Sequence, residues 1–170
     1  MINTFTIRRA IEDDADQIIM HTKIVLTENP HVMGTTFEEF NTTTEEEKDW
    51  INSHDKQGLL LVAEVDGNII GILSFRLSPR KKFSHQGLFG MSIQEKFTNK
   101  GIGRSLIKEL LEWAKEDNRV EKISLEVFSN NERAIHLYKK FGFTEEGRRK
   151  KQAKLSSNEY VDDILMCKFI

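Results

Sequence analysis

Two hydrophobic rhythms alternate along this chain. Apolar positions spaced by two mark strands, and positions spaced by three and four mark helices. Phe5 to Arg9 alternate as a first strand, and Glu12 to Thr27 place Ala15, Ile18, Ile19, Thr22 and Leu26 on one helical face. Asn29 to Thr43 has no clear period and reads as loop. Thr44 with Glu47 three residues on has the capping-box pattern, which predicts a short helix to about Asn52. Leu59 to Val65 is an apolar run, Asp66-Gly67 a hairpin turn, and Asn68 to Leu77 the returning strand. A polar connection at Pro79 to Lys82 leads to a strand over Gly87 to Ile93. A helix of about four turns follows, with Leu106, Ile107, Leu110, Leu111 and Ala114 at helical spacing and an end near Asp117. Ile123 to Phe128 is another strand. Ser129 with Glu132 is a second capping box, opening a helix to Lys140, and Gly142 stands where a left-handed helix-ending residue belongs. Phe143 onward and Tyr160 to Phe169 close the chain as two strands, with a bend near Asn158-Glu159.

The order β-α-α-β-β-β-α-β-α-β-β predicts an α/β (α+β) fold, with one mixed sheet carrying helices on both faces. No internal repeat or low-complexity linker divides residues 1–170, so a single domain is expected. The composition, 38% hydrophobic and 31% charged, is that of a soluble globular protein. A net charge of −2 gives no global drive toward nucleic acid or an anionic membrane. No apolar run approaches the ~18 residues of a membrane span, and the start of the chain has no signal-peptide core. Cys167 is the only cysteine, so no internal disulfide forms, which fits a cytoplasmic location. It shares its side of the last strand with Leu165 and Phe169, a core position and not that of a nucleophile. His21, His31, His54, His85 and His136 show no metal-ligand spacing, and no metal is expected.

The chemistry concentrates at Asn99-Lys100-Gly101-Ile102-Gly103-Arg104, between the strand ending at Ile93 and the helix that follows. A glycine-rich turn that opens a helix offers backbone N–H groups to a phosphate. Gly103-Arg104-Ser105 lacks the lysine of a P-loop, and Leu106 replaces the third glycine of a dinucleotide fingerprint. A plain strand-to-helix turn without ligand stands beside these readings. Asn131 and Tyr138 add a second element. Seven residues apart on a helix, they lie within ~20° of one face and ~10 Å apart along the axis. That spacing suits an extended thiol arm, with an amide side chain at one end and a phenol at the sulfur.

Taken together, Gly101-Ile102-Gly103, Leu125-Glu126-Val127, Asn131-Glu132-Arg133-Ala134-Ile135-His136-Leu137-Tyr138 and Phe141-Gly142-Phe143 resemble a GNAT-family N-acetyltransferase in motif order and spacing. The resemblance covers roughly residues 4 to 170. The ending Glu159-Tyr160-Val161-Asp162-Asp163-Ile164-Leu165-Met166 is similar to the subgroup that acetylates amino acids, small amines or antibiotics. The resemblance implies one mostly antiparallel, twisted sheet of about six to seven strands with splayed central strands and about four helices. It implies acetyl-coenzyme A as co-substrate, a primary amine of a small molecule as acceptor, direct attack in a ternary complex, and possible homodimers. Met91, Ser92 and Ile93 would hold the pantetheine arm through their backbone, as an added strand. Asn99, Lys100, Gly101, Ile102, Gly103 and Arg104 would hold the pyrophosphate. The family's phosphate loop begins with Arg or Gln where this chain has Thr98, and Lys100 and Arg104 are the charges placed to offset that loss.

Acetyl transfer to an amine needs a neutral nucleophile, a donor for the oxyanion and a proton for the departing thiolate. The resemblance makes Tyr138 the acid. Glu126 occupies a position that serves some family members as general base. Its carboxylate sits in an apolar strand and would titrate high if buried, or would face solvent on the strand's other side. The basic runs Arg80 to Lys82 and Arg148 to Lys151 read as solvated turns. A protein N-terminal or lysine acetyltransferase, and a non-catalytic acyl-CoA or amine sensor on the same fold, are the competing functions. Retention of both Asn131 and Tyr138 favours the enzyme, since a sensor needs no thiolate acid.

Overall fold

The period-two runs assemble into one seven-stranded sheet in the order β1-β2-β3-β4-β5-β7-β6. The computed structural model describes residues 4–170. The strands are β1 (Thr6–Arg9), β2 (Gly58–Val65), β3 (Asn68–Leu77), β4 (Gln86–Ile93), β5 (Lys122–Phe128), β6 (Thr144–Ser156) and β7 (Glu159–Phe169). Helices α1 (Ala15–Glu28), α2 (Thr44–Gln57), α3 (Ile102–Glu116) and α4 (Glu132–Lys140) connect them. All neighbouring pairs are antiparallel except β4 and β5, as the mixed sheet predicted from the sequence requires. Among the described residues no helix is long and apolar enough to cross a membrane.

Strand β2 is apolar almost throughout because both of its faces are covered. Leu59, Leu61 and Ala63 join a core with Leu73, Phe75, Phe89, Leu106, Leu110 and Phe143 under α3 and α4. Leu60 and Val62 face the other way, with Ile69, Ile51, Ala15 and Ile18, under α1 and α2. The α3 pattern read from the sequence holds: Leu106, Ile107, Leu110 and Ala114 are buried.

Several local expectations shift. A 3-10 turn at Glu12–Asp14 precedes α1, where Arg8 grips both Asp14 carboxylate oxygens at 2.7 and 2.9 Å. The inward face of α1 runs through Ala15, Ile18, His21, Val25 and Leu26, so His21 belongs to the core and Ile19 and Thr22 sit at its margin. The capping box of α2 is one residue earlier than predicted. Thr43 has the extended backbone of a cap, its hydroxyl accepts from Glu46 N–H, and the Glu46 carboxylate accepts from Thr43 N–H at 2.9 Å. The helix continues beyond Asn52 to Gln57 because Ile51 and His54 prolong its buried face. The Ser129–Glu132 box does not form. Asn131 caps α4, its carbonyl oxygen accepting from Ala134 N–H, while Ser129 Oγ accepts from Asp162 N–H. Arg148 to Lys151 is no turn but the middle of β6, whose register slips between Arg149 and Ala153. An edge strand tolerates such a bulge and such charge. Cys167 is buried as expected, although Phe169 beyond it is exposed.

Two buried histidines pin the helices of one face to the sheet. His54 on α2 reaches Ser74 of β3 at 2.8 Å, and His21 on α1 reaches Ser92 of β4 at 2.9 Å. Burial pushes the His21 imidazole down to about 4 and lowers that of His54.

Two stability measurements follow from these contacts. Thr43→Ala removes the cap of α2 and should cost about 1 kcal/mol in urea unfolding. His21 is held neutral in the fold but is free to protonate when unfolded, so its contribution is complete above about pH 6.5 and is lost as pH falls toward 4. The unfolding free energy from urea titrations should therefore drop between pH 7 and pH 4, by on the order of 3 kcal/mol from His21. A His21→Gln variant should show a flatter profile over that range.

Candidate active site

The β4–β5 ladder is short. It joins Gln86 to Lys122, Gly87 to Ile123 and Leu88 to Ser124, and beyond these pairs the two strands part. On the other side of β4 the antiparallel ladder with β3 continues to Gly71 and Ile93. Its hydrogen-bonded pairs include Ser78 N–H to Gln86 C=O and Gln94 N–H to Ile70 C=O. Antiparallel pairing alternates, so the even-numbered residues of β4 spend their backbone groups on β3. Met91 and Ile93 direct theirs into the gap, where no strand meets them. Of the three β4 residues expected to bind through the backbone, Ser92 can offer the gap only its hydroxyl.

The glycine turn closes one end of the gap. Asn99 (φ 58°) and Gly101 (φ 86°) are both left-handed, and Gly101 is the N-cap of α3. Left-handed residues next to a helix N-terminus turn successive N–H groups toward one concavity, a fit for an anion such as a pyrophosphate. Gly103 allows close packing. A Cβ there would lie 3.1 Å from Leu137, 3.2 Å from Ile93 and 3.4 Å from Met91.

Helix α4 supplies the opposite wall. Tyr138 is 6% exposed, and its ring meets Phe89 at 5.5 Å, edge to face, and Phe143 at 6.2 Å. Its hydroxyl has no hydrogen-bond partner among the described residues. Burial pushes the phenol up to about 12, so it keeps its proton throughout the neutral range. Asn131 uses its side-chain carbonyl as the cap of α4, which leaves its amide NH₂ as the group for a ligand. Arg133 was not singled out from the sequence. It forms a bidentate pair with Glu95 and donates to Thr98 Oγ1 at 3.1 Å. A guanidinium from α4 thus stands beside the loop position where the family carries its own long side chain. No period or spacing identifies that contact, because it joins residues 35 apart.

A cleft of about 290 Å³ brings together Met91, Ser92, Ile93, Asn99, Gly101, Gly103, Arg104, Asn131 and Tyr138. Arg133 lines it too, as do Asn29, Val32 and Met33 from the aperiodic loop after α1, none of which was a candidate site residue. Asn130 ties that loop down by donating to His31 C=O at 2.9 Å. Lys100 and Ile102 fall elsewhere. Ile102 is core, and the Lys100 ammonium lies over Phe97, so both side chains line a larger cavity of about 620 Å³ by Phe5, Met20 and Asn68. At the turn itself it is their backbone that is placed. The larger cavity contains neither Asn131 nor Tyr138, and the candidate residues gather at the smaller cleft. Among the described residues no group of three His, Cys, Asp or Glu is placed to hold a metal ion.

Glu126 is not buried as its apolar strand allowed. Strand alternation puts Leu125 and Val127 in the core and Glu126 on the open face, where it pairs with Arg149 at 3.0 Å. Arg149 also binds Asp163 at 2.9 Å. Burial and the neighbouring Glu126 charge push the Asp163 carboxyl above its usual value.

Comparisons with known proteins agree with this geometry. The model of the acetyltransferase (GNAT) family matches residues 26–143. The chain is 38% identical over 115 residues to an L-amino acid N-acetyltransferase of Escherichia coli strain K12, covering 67% of this chain and 70% of that one. It is 29% identical over 171 residues to an N-alpha-acetyltransferase of Sulfurisphaera tokodaii, covering 93% and 87%. The crystal structure of a GNAT-family acetyltransferase from Streptococcus pneumoniae superposes with a TM-score of 0.93 at 29% identity, over 98% of this chain and all of that one. A splayed β4–β5 pair, a glycine turn opening α3 and a buried tyrosine on α4, in a chain this similar to known acetyltransferases, make this protein a member of the GNAT family and an acetyl-coenzyme A-dependent N-acetyltransferase.

Proposed function

We propose that the chain, acting as a single N-acetyltransferase domain, transfers an acetyl group from acetyl-coenzyme A to the primary amine of a small molecule by direct attack in a ternary complex. The observation that carries this reading is the β4–β5 gap. Unpaired Met91 and Ile93 backbone groups lie between a phosphate-shaped turn and a buried phenol. Acetyl-coenzyme A supplies an activated thioester and a thiolate leaving group. The turn from Asn99 to Arg104 binds the pyrophosphate through N–H groups, with Arg104 and Arg133 adding positive charge. Met91 and Ile93 pair with the pantetheine amides as a strand would. A gap-facing N–H of the same pair stabilises the oxyanion. The Asn131 amide anchors the arm, and the Tyr138 hydroxyl donates to the departing sulfur.

The acceptor enters on the face of the sheet that carries α1. There Leu88, Gly90 and Glu126 are all exposed beside the gap, opposite the Tyr138 face. Glu126 and Asp163 give this floor two carboxylates against the single guanidinium of Arg149, a balance that receives an ammonium and its proton. The likeness to an N-alpha-acetyltransferase over nearly the whole chain makes a peptide α-amino group the second reading. A thiol-release assay against amino acids, polyamines, aminoglycosides and peptide N-termini separates the two, and activity on none of them would remove the proposal.

Tyr138→Phe should lower kcat about 100-fold while acetyl-coenzyme A affinity stays within about twofold. Since the phenol holds its proton to about pH 12, wild-type kcat should not fall between pH 7 and 10. Unchanged turnover in the variant would exclude the phenol as acid. Gly103→Val places a branched side chain against Leu137, Ile93 and Met91 and should weaken acetyl-coenzyme A binding at least tenfold by calorimetry. Equal affinity would detach the glycine turn from the cofactor.

A further inference from the structure

The two histidine–serine pairs that pin α1 and α2 to the sheet look alike but carry their protons in opposite directions. His54 Nδ1 lies 2.8 Å from the carbonyl oxygen of Trp50, one turn back on α2. A carbonyl only accepts, so Nδ1 bears the proton and Nε2 is the acceptor. Ser74 then donates its hydroxyl proton to His54 across 2.8 Å, and that pair is closed.

His21 is held the other way. Gln94 Nε2 donates to the Ile69 carbonyl at 3.2 Å, which fixes the orientation of the amide. The same NH₂ faces His21 Nδ1 at 3.4 Å, so Nδ1 accepts. The ring is neutral, and its proton therefore sits on Nε2 and is donated to Ser92 Oγ at 2.9 Å. Ser92 Oγ is the acceptor in this contact, and among the described residues its own proton has no partner. Ser92 lines the cleft. Met91 and Ile93 turn their side chains to the α3–α4 core, so Ser92 stands on the α1 face of β4. That is the face from which the acceptor approaches.

We infer that Ser92 is a specificity-determining residue: its hydroxyl, polarised as a donor by His21, binds a carbonyl or carboxylate oxygen next to the acceptor's amine. A polyamine, whose groups beside the reacting nitrogen are methylenes and further N–H donors, leaves that proton without an acceptor and can use only the remaining lone pair of the hydroxyl. The fixed donor rewards an amino acid or a peptide N-terminus, which carries an oxygen two bonds from the amine-bearing carbon. His21 touches no substrate and acts as a positioning residue, through Ser92 alone.

The inference rests on the acetyltransferase reading above, and the test separates the two. The probes are the best amino-acid acceptor from the panel and the amine left when its carboxylate is removed. Wild-type protein should prefer the amino acid by tenfold or more in kcat/KM. Ser92→Ala should shrink that preference about tenfold through the KM of the amino acid, in keeping with one lost hydrogen bond, and Ser92→Thr, which keeps a hydroxyl, should restore most of it. His21→Leu should shrink the preference likewise, and the double variant should lose no more than either single one. His21→Gln, with an N–H to give Ser92, should recover part of it. Should His21→Leu not fold, the ring nitrogen shifts of the wild-type protein decide the proton's place: Nε2–H is expected, and Nδ1–H overturns the inference. An unaltered preference in Ser92→Ala overturns it, as does a uniform fall in kcat for both probes, which would place the hydroxyl on the acyl group. Activity on polyamines with none on amino acids or peptides overturns it while leaving the acetyltransferase reading intact. Activity on no amine removes both.

Discussion

The site depends on a hydrogen-bond ladder that stops early. Strands β4 and β5 pair over three residues each and then separate, while β4 stays bound to β3 and β5 to β7. Backbone N–H and C=O groups inside a protein need partners, and those of Met91 and Ile93 have none from the sheet. The gap is therefore a place where the fold itself asks for a ligand with the hydrogen-bonding habit of a strand. A parallel pair is the natural place for such a break, because its strands are joined by a helix and not by a tight turn. Between β4 and β5 that helix is α3, whose N-terminus opens at the gap.

Two packing arrangements keep the gap from closing or collapsing. On one face Phe89 and Phe143 stack around Tyr138, with ring centroids of 5.5 Å between the two phenylalanines and 5.5 and 6.2 Å to the tyrosine. This cluster orients the phenol and desolvates it, and the same desolvation keeps it protonated. On the other face α1 is fixed to the tip of β4 through His21, Ser92 and Gln94. The loop after α1 is held from both sides, by Asn130 at His31 and by the pairing of Asn29 with Glu95. The cleft is thus walled by segments far apart in sequence, each anchored by its own polar contact.

Much of this was legible in the order of residues. The α3 stripe, the Asp66-Gly67 hairpin and the apolar run of β2 are local patterns, and local sterics and burial enforce them wherever they occur. Gly101 was legible for the same reason, since the left-handed start of a helix selects for a missing Cβ. The misplaced features share a different character. Thr43 and Thr44 are chemically equal candidates for the cap, and only the chain's path decided between them. Arg148 to Lys151 has the composition of a turn, yet pairing with β7 draws it into a strand. Glu126 was open to two readings, and the strand took the solvent-facing one; what the sequence did not show is its partner Arg149, from a strand two places away in the sheet.

The element order, the glycine turn, the Asn131–Tyr138 spacing and, through these, the family can all be read along the chain. Each is a short-range pattern that needs no knowledge of what lies across the sheet. Tertiary structure alone decided where β4 and β5 part and that Met91 and Ile93, not Ser92, turn their backbone to the gap. It also brought Arg133 beside Thr98, paired Glu126 with Arg149, and gave His21 and His54 opposite proton placements. The physical reason is the same in every case. Hydrogen bonds and ion pairs between distant segments depend on register and distance, and neither is written in the spacing of residues along one strand or one helix.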